Sequence, residues 1–291
     1  MKLRSVELQM PADEIDAAAE FLTKTWRVVP VEHTGSTQYF RGSGEHPYLL
    51  AIAKANAPGV SSVSFLVNEQ ELAALEQRAK QAGVAFTKIA AFDEPGGGHG
   101  LLIRGPENQT YRFCVNGPAP AIATNADTPV QLTHAVININ DLPRSEAFAT
   151  DVLGFRISDR TRIMTFVRCN QKHHCVAYAP AEVPSLNHIA FEMQDADAVM
   201  RGIGRMRDAG FACSWGPGRH GPGDNVFAYF IAPFGAVIEY TAEVSEVDDN
   251  YKVGAPSDWT WPPGRIDQWG LSTKDIPNIV AAEKRFRFLP A

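Results

Sequence analysis

Long apolar runs are missing from this chain. No stretch approaches the ~18 apolar residues that a membrane helix needs. The most apolar segment, Phe227 to Ile238, is broken by Pro233 and Gly235 and reads as two core strands joined by a turn. Positive charge is neither in excess nor clustered: 27 Lys and Arg stand against 33 Asp and Glu, for a net charge of −6. That argues against a nucleic-acid or membrane-surface partner. Cysteine is scarce, with Cys114, Cys169, Cys175 and Cys213 the only four and no CxxC spacing among them. Reduced, buried thiols in a cytoplasmic protein are expected, not a disulfide frame. The first residues, Met1-Lys2-Leu3-Arg4-Ser5-Val6-Glu7, turn polar and acidic too early for a targeting peptide.

What is present is an internal repeat. His134 in Leu132-Thr133-His134-Ala135-Val136 falls opposite Ser5, His188 in Leu186-Asn187-His188-Ile189-Ala190 opposite Ser62, and Glu239 in Val237-Ile238-Glu239-Tyr240 opposite Arg112. The shifts are 134 − 5 = 129, 188 − 62 = 126 and 239 − 112 = 127, so one offset superposes the halves. Trp26 against Phe155, Gly83 against Gly210 and Pro106 against Pro233 follow it too. Each half divides again into two segments, each opening on a strand, passing into a helix and ending in about three strands. Apolar spacing predicts helices over 12–26, 69–83, 142–153 and 196–210, three of them closing near Gly83, Gly154 and Gly210. The fold class is therefore α+β: four βαβββ modules in two tandem domains, each with a cupped mixed sheet and each long enough to bury its own core. The expected boundaries are 1–116 for a metal-free pair, 117–129 for a linker broken by Pro118, Pro120 and Pro129, 130–243 for a catalytic pair and 244–291 for a Trp-rich arm packed on the catalytic domain.

Two imidazoles and a carboxylate at equivalent points of three strands converge once the modules fold over. Such a set suits divalent iron with open positions. The first half accepts Ser5, Ser62 and Arg112 at those points, and Arg112 would repel a divalent ion, so a metal is expected in the second half alone. An inward carboxylate between Ile238 and Tyr240 needs a cation.

These residues, with the block Gly218-Arg219-His220-Gly221, then Tyr229, Pro233, Gly235 and Glu239-Tyr240, resemble the type I extradiol ring-cleaving dioxygenases of the vicinal oxygen chelate superfamily, over nearly the whole chain. The resemblance implies Fe(II), with Mn(II) as the substitute, held by His134, His188 and Glu239. It implies an acid–base histidine at His173 and substrate contacts from His220 and Tyr229. The implied reaction opens a catechol-type ring with O2 next to the diol, in aromatic-compound breakdown, by a chain that assembles into homo-oligomers. In Lys172-His173-His174-Cys175 the two adjacent imidazoles must face opposite ways on a strand. Fifteen residues back from His188 lies His173, an interval similar to the family's, so His173 is expected inward and His174 at a packing or rim position. Val176, Phe191, Phe227, Trp259 and Trp261 are candidates to line an aromatic pocket, with Asp224 and Arg219 reading a polar substituent. A glyoxalase-like isomerase or lyase shares the modules but commonly draws four protein ligands. A small-molecule-sequestering protein of the same fold would need no metal triad.

Overall fold

The computed structural model describes residues 1–117, 119, 122 and 126–289; Pro118 and Pro120 of the expected linker lie outside the described residues. The first module runs β1 (Lys2–Met10), α1 (Ala12–Phe21), β2 (Val29–Val31), β3 (Gln38–Arg41) and β4 (Leu50–Lys54). The second runs β5 (Gly59–Leu66), α2 (Glu69–Gln81), β6 (Phe86–Ile89), β7 (His99–Arg104) and β8 (Thr110–Val115). The third has β9 (Gln131–Ile139), α3 (Leu142–Ala147), β10 (Arg156–Arg160), β11 (Thr165–Arg168) and β12 (Val176–Pro180). The fourth has β13 (Ser185–Glu192), α4 (Ala196–Asp208), β14 (Trp215–Arg219), β15 (Val226–Ile231) and β16 (Val237–Ala242). This is an α+β fold of four βαβββ modules.

The pairing repeats with the sequence. β1 lies parallel to β4 and antiparallel to β5, which lies parallel to β8. In the second half β9 lies parallel to β12 and antiparallel to β13, which lies parallel to β16. The first strands of paired modules thus sit side by side, and positions 134, 188 and 239 meet at the centre of one sheet. Asn68 caps α2 with a full capping box, and Asp195 caps α4 through the backbone N–H of Ala198. Both α1 and α3 run on into a single π-helical turn, over 22–26 and 148–152. The first ends at Arg27 with φ 72° and the second is followed by Gly154, also at φ 72°.

The two halves share their interior. Trp26 stacks on Tyr240 at 3.6 Å and meets Phe191 edge-on at 5.4 Å. Reciprocally, Phe155 packs on Phe65 at 5.1 Å, and the Tyr111 and Tyr178 hydroxyls are 3.1 Å apart. One continuous cluster of buried side chains, from Leu3 to Phe288, runs through both halves, where a separate core for each was expected. The end of the helix in each half's first module is thus packed against the other half's sheet.

The C-terminal segment carries α5 (Ile276–Ala282) and β17 (Arg287–Phe288). It is tied to the second half where the Asp275 N–H donates to the Ser214 carbonyl, and then returns to the seam, where Arg287 pairs with Ser185 of β13 and with Gly59 of β5. Arg285 also pairs with Glu14 of α1. Among the described residues, no helix is long and apolar enough to cross a membrane, and the four cysteines are free.

Candidate metal centre

His134 on β9, His188 on β13 and Glu239 on β16 come together, their ligand atoms all within 4.8 Å of one another. The Nε2 atoms of both histidines are 3.2 Å from the same carboxylate oxygen of Glu239. Each ring is aimed by its sequence neighbour. Asn187 Oδ1 lies 2.7 Å from His188 Nδ1, and Asn187 Nδ2 donates to Asn138 Oδ1, so the carbonyl oxygen is left to accept from the imidazole N–H. Thr133 Oγ1 lies 3.0 Å from His134 Nδ1 and donates to the Ala190 carbonyl. Both Nε2 lone pairs are thereby turned toward Glu239, the orientation that metal-ligating histidines need.

The electrostatics fit a cation. Burial would raise the Glu239 carboxyl, yet His134 and His188 hold it well below the ordinary carboxylate range. Burial pushes His188 down to about 4, leaving it neutral and able to ligate at pH 7. His188 Nε2 is buried with no hydrogen-bond partner in the protein. An orphaned imidazole nitrogen beside a buried, ionised carboxylate is costly unless a metal joins them. Two nitrogens and one carboxylate on one side of a point fit a divalent metal with open positions opposite.

Around those positions stand three further polar side chains. His220, just past β14, has its Nε2 2.9 Å from the Tyr229 hydroxyl and 3.9 Å from Glu239. Burial pushes His220 down to about 3 and Tyr229 well up, so both are neutral at pH 7. Tyr229 pairs with Glu239 across β15 and β16 and shares its face. The third is His174, whose ring lies 4.2 Å from that of His134. Burial, then the neighbouring His134 and His173, holds His174 well below its ordinary value.

The placement of the adjacent histidines reverses the expectation. His173 Nε2 lies 2.7 Å from buried Asp159 Oδ2, on the side of Tyr251, while His174 is the imidazole that faces the triad. The reason is local: residues 169–175 form an irregular connection ahead of β12, so alternation cannot be counted through them. Two pocket candidates also need correction. Val176 pairs with Ala135 on the helix-covered face, and Phe191 packs on Trp26 there; neither is on the concave side. That face instead carries Val136, Phe166 and Ala177, with Phe166 edge-on to His174 at 5.1 Å. Phe227 is at the site, stacked on His220 at 3.9 Å. Asp224 sits in the tight turn after His220 at φ 51°, bonded to Gln268 and Arg219 on the exposed rim. Trp259 and Trp261 lie against Gly221, closing the His220 loop from outside.

Sequence reasoning missed Asn187 and Thr133, whose signal was adjacency to the ligands. It also missed Asn225, which is 3.4 Å from Glu239 Oε1, and Trp215, which stacks on Tyr229 at 5.1 Å.

A buried His-His-Glu group on paired βαβββ modules is the arrangement of a fold that can hold a divalent metal in the cup of a folded-over sheet. Residues 131–240 match the model of the Glyoxalase/Bleomycin resistance protein/Dioxygenase superfamily. The Mn(II)-bound glyoxalase from Novosphingobium aromaticivorans superposes with a TM-score of 0.84 at 31% identity, over 95% of this chain and 93% of that one. The chain belongs to this superfamily. Among curated relatives, metapyrocatechase 2 of Cupriavidus necator is 30% identical over 63% of this chain, which spans about half, 51%, of that relative's length. Biphenyl-2,3-diol 1,2-dioxygenase of Metapseudomonas furukawaii is 25% identical over 89% of this chain and 93% of its own.

Proposed function

We propose that the chain is an extradiol dioxygenase that opens a catechol-type ring with O2 beside the diol, using Fe(II), or Mn(II) in its place, on His134, His188 and Glu239. The observation that carries the reading is the placement of the His220–Tyr229 pair and of His174 around the open side of the triad. The names of metapyrocatechase 2 and of the biphenyl-diol dioxygenase point the same way. When bound, the metal supplies Lewis acidity and adjoining positions that hold the diol and dioxygen together.

The chain's own side chains do the rest. The Tyr229 hydroxyl and His220 Nε2 are already hydrogen-bonded, so a substrate hydroxyl enters a preformed donor–acceptor pair and is oriented on arrival. His174 is held neutral by burial and by its imidazole neighbours, so its free nitrogen can take a proton from the diol and return it during ring opening. Phe166 and Phe227 wall the space and keep water out. The product is a ring-opened semialdehyde or ketone acid.

A glyoxalase-like reaction is the second reading, favoured by the 31% identity to a protein of that name. Among the described residues the ligand group has three members, one fewer than that chemistry commonly uses. Oxygen uptake decides between the two. A panel of catechols mixed with Fe(II)-loaded protein should consume one O2 per substrate and give a yellow product, whereas turnover of a glutathione hemithioacetal without oxygen would sink the dioxygenase reading. Glu239→Ala should lose bound metal by elemental analysis; stoichiometric iron with full activity would mean the centre is misplaced.

A further inference from the structure

Behind His174 lies a line of buried polar groups that ends on a carboxylate. His174 Nδ1 is 3.0 Å from His173 Nδ1, and His173 Nε2 is 2.7 Å from Asp159 Oδ2. None of the three side chains is more than 2% exposed. The backbone fixes both rings, since the His173 N–H donates to the Ser245 carbonyl at 2.8 Å and the Cys175 N–H to the Val167 carbonyl at 2.9 Å. Asp159 reaches them through a bulge: Ile157 pairs with Val167 and Asp159 with Phe166, which leaves Ser158 as the extra residue. That insertion turns Asp159 onto the face of Phe166, whose ring meets His174 edge-on.

The protons along this line follow from its end. Asp159 Oδ1 accepts from the Gly254 N–H at 2.7 Å, and Oδ2 accepts from the Tyr251 hydroxyl at 3.1 Å. A carboxylate ringed by donors has only lone pairs to offer, so His173 Nε2 carries its proton toward Oδ2. A neutral His173 then has its lone pair on Nδ1, where it accepts from His174 Nδ1–H. The lone pair of His174 is left on Nε2, across the ring from His173.

We infer that Asp159 is a positioning residue which, through His173, sets the tautomer of His174 so that Nε2 is the nitrogen that accepts a proton. This rests on the acid–base role of His174 in the ring-cleavage reading. Asp159 acts through two imidazoles and touches no substrate. When His174 takes the diol proton, its Nδ1–H stays donated to His173, and the charge that forms is stabilised along the same line by the carboxylate.

Asp159→Asn tests the line by reversing it. The Gly254 N–H can only donate, so the amide oxygen stays at the Oδ1 position and the amide N–H faces His173 Nε2, which moves the His173 proton to Nδ1 and that of His174 to Nε2. Turnover of catechol by the Fe(II)-loaded variant should fall by ~10²–10⁴ in kcat, as for a lost acid–base group, with KM within about threefold. Adding His173→Asn removes the reversed imidazole and offers an amide oxygen to His174 Nδ1–H, so the double variant should recover to within about tenfold of wild type, the scale of one hydrogen bond. His173→Gln meets Asp159 but leaves His174 Nδ1 without an acceptor. It should turn over at least about tenfold more slowly than His173→Asn, a comparison that stands even where Asp159→Asn does not fold. Nitrogen-15 NMR of the histidine-labelled, Zn(II)-loaded full chain reads the tautomer directly, the His174 signals being those lost in His174→Asn: Nδ1 should be protonated in the wild type and Nε2 in Asp159→Asn. A wild type protonated on Nε2, a double variant no faster than Asp159→Asn, or equal rates for His173→Gln and His173→Asn overturns the proposal. A wild type protonated on Nδ1 that cleaves no catechol would uphold the hydrogen-bonded line and overturn the dioxygenase reading instead.

Discussion

Two neighbouring histidines in this chain have opposite duties, and their partners say which is which. His174 touches the ring of His134, whereas His173 spends its Nε2 on Asp159. Losing a positioned acid–base group costs ~10²–10⁴ in rate. His174→Asn should therefore keep its metal and lose turnover on that scale, and His173→Asn should turn over within about tenfold of wild type while melting earlier. Steady-state kinetics beside thermal unfolding measures both, and the reverse pattern would return the inward role to His173. The convergence of His134, His188 and Glu239 was legible because an internal repeat supplied its own control, with Ser5, Ser62 and Arg112 at the same scaffold points. The choice between the histidines was not, because a counted interval says nothing about an irregular connection. Asp159 stands alone in strand context, and only its three-dimensional neighbours give it meaning.

At the scale of elements, the helices and strands followed from apolar spacing and terminal glycines, as with Gly83 and Gly210 at φ 65° and 88°. The π-helical turns that end the first and third module helices carried no such signal. They exist where Trp26 and Phe148 reach the opposite half, a tertiary demand that local propensity does not encode. The C-terminal segment was legible as ordered from its tryptophans, but its anchor was not. Asp159 on β10 is fully buried and accepts from His173 Nε2, from the Tyr251 hydroxyl and from the Gly254 N–H at 2.7 Å. Asp159→Ala would leave those donors unmet and should cost about 1–3 kcal/mol. The expected consequence is faster limited proteolysis within 249–270, read by mass spectrometry, because that stretch covers the His220 loop from outside. Unchanged cleavage would mean that Trp259 and Trp261 hold the segment by packing alone.

Across the whole molecule, duplication has left one half with a buried His-His-Glu group and the other with a cluster of buried charge at the equivalent place. Glu7 accepts from the hydroxyls of Ser5, Ser62, Ser64 and Tyr48, while Arg4 and Arg112 bind Glu94. The guanidinium groups of Arg4 and Arg112 supply the positive charge beside these buried carboxylates. Burial would raise the Glu7 carboxyl, but Arg112 and Arg4 outweigh it and hold it below its ordinary value. A depressed folded value means that the ionised form stabilises the fold: the contribution is complete above the unfolded carboxylate value of ~4.3 and is lost as pH falls through the folded one. Breaking such a buried network from one side costs about 3–5 kcal/mol. Glu7→Gln should therefore be destabilised on that scale at pH 7 in urea and should lose less on acidification below about pH 4.3 than the wild type does. Because the interior is continuous from Leu3 to Phe288, the variant should unfold in one transition that also releases the metal held more than a hundred residues away in sequence. An early transition that leaves metal bound in the second half would show instead that each pair of modules stands alone.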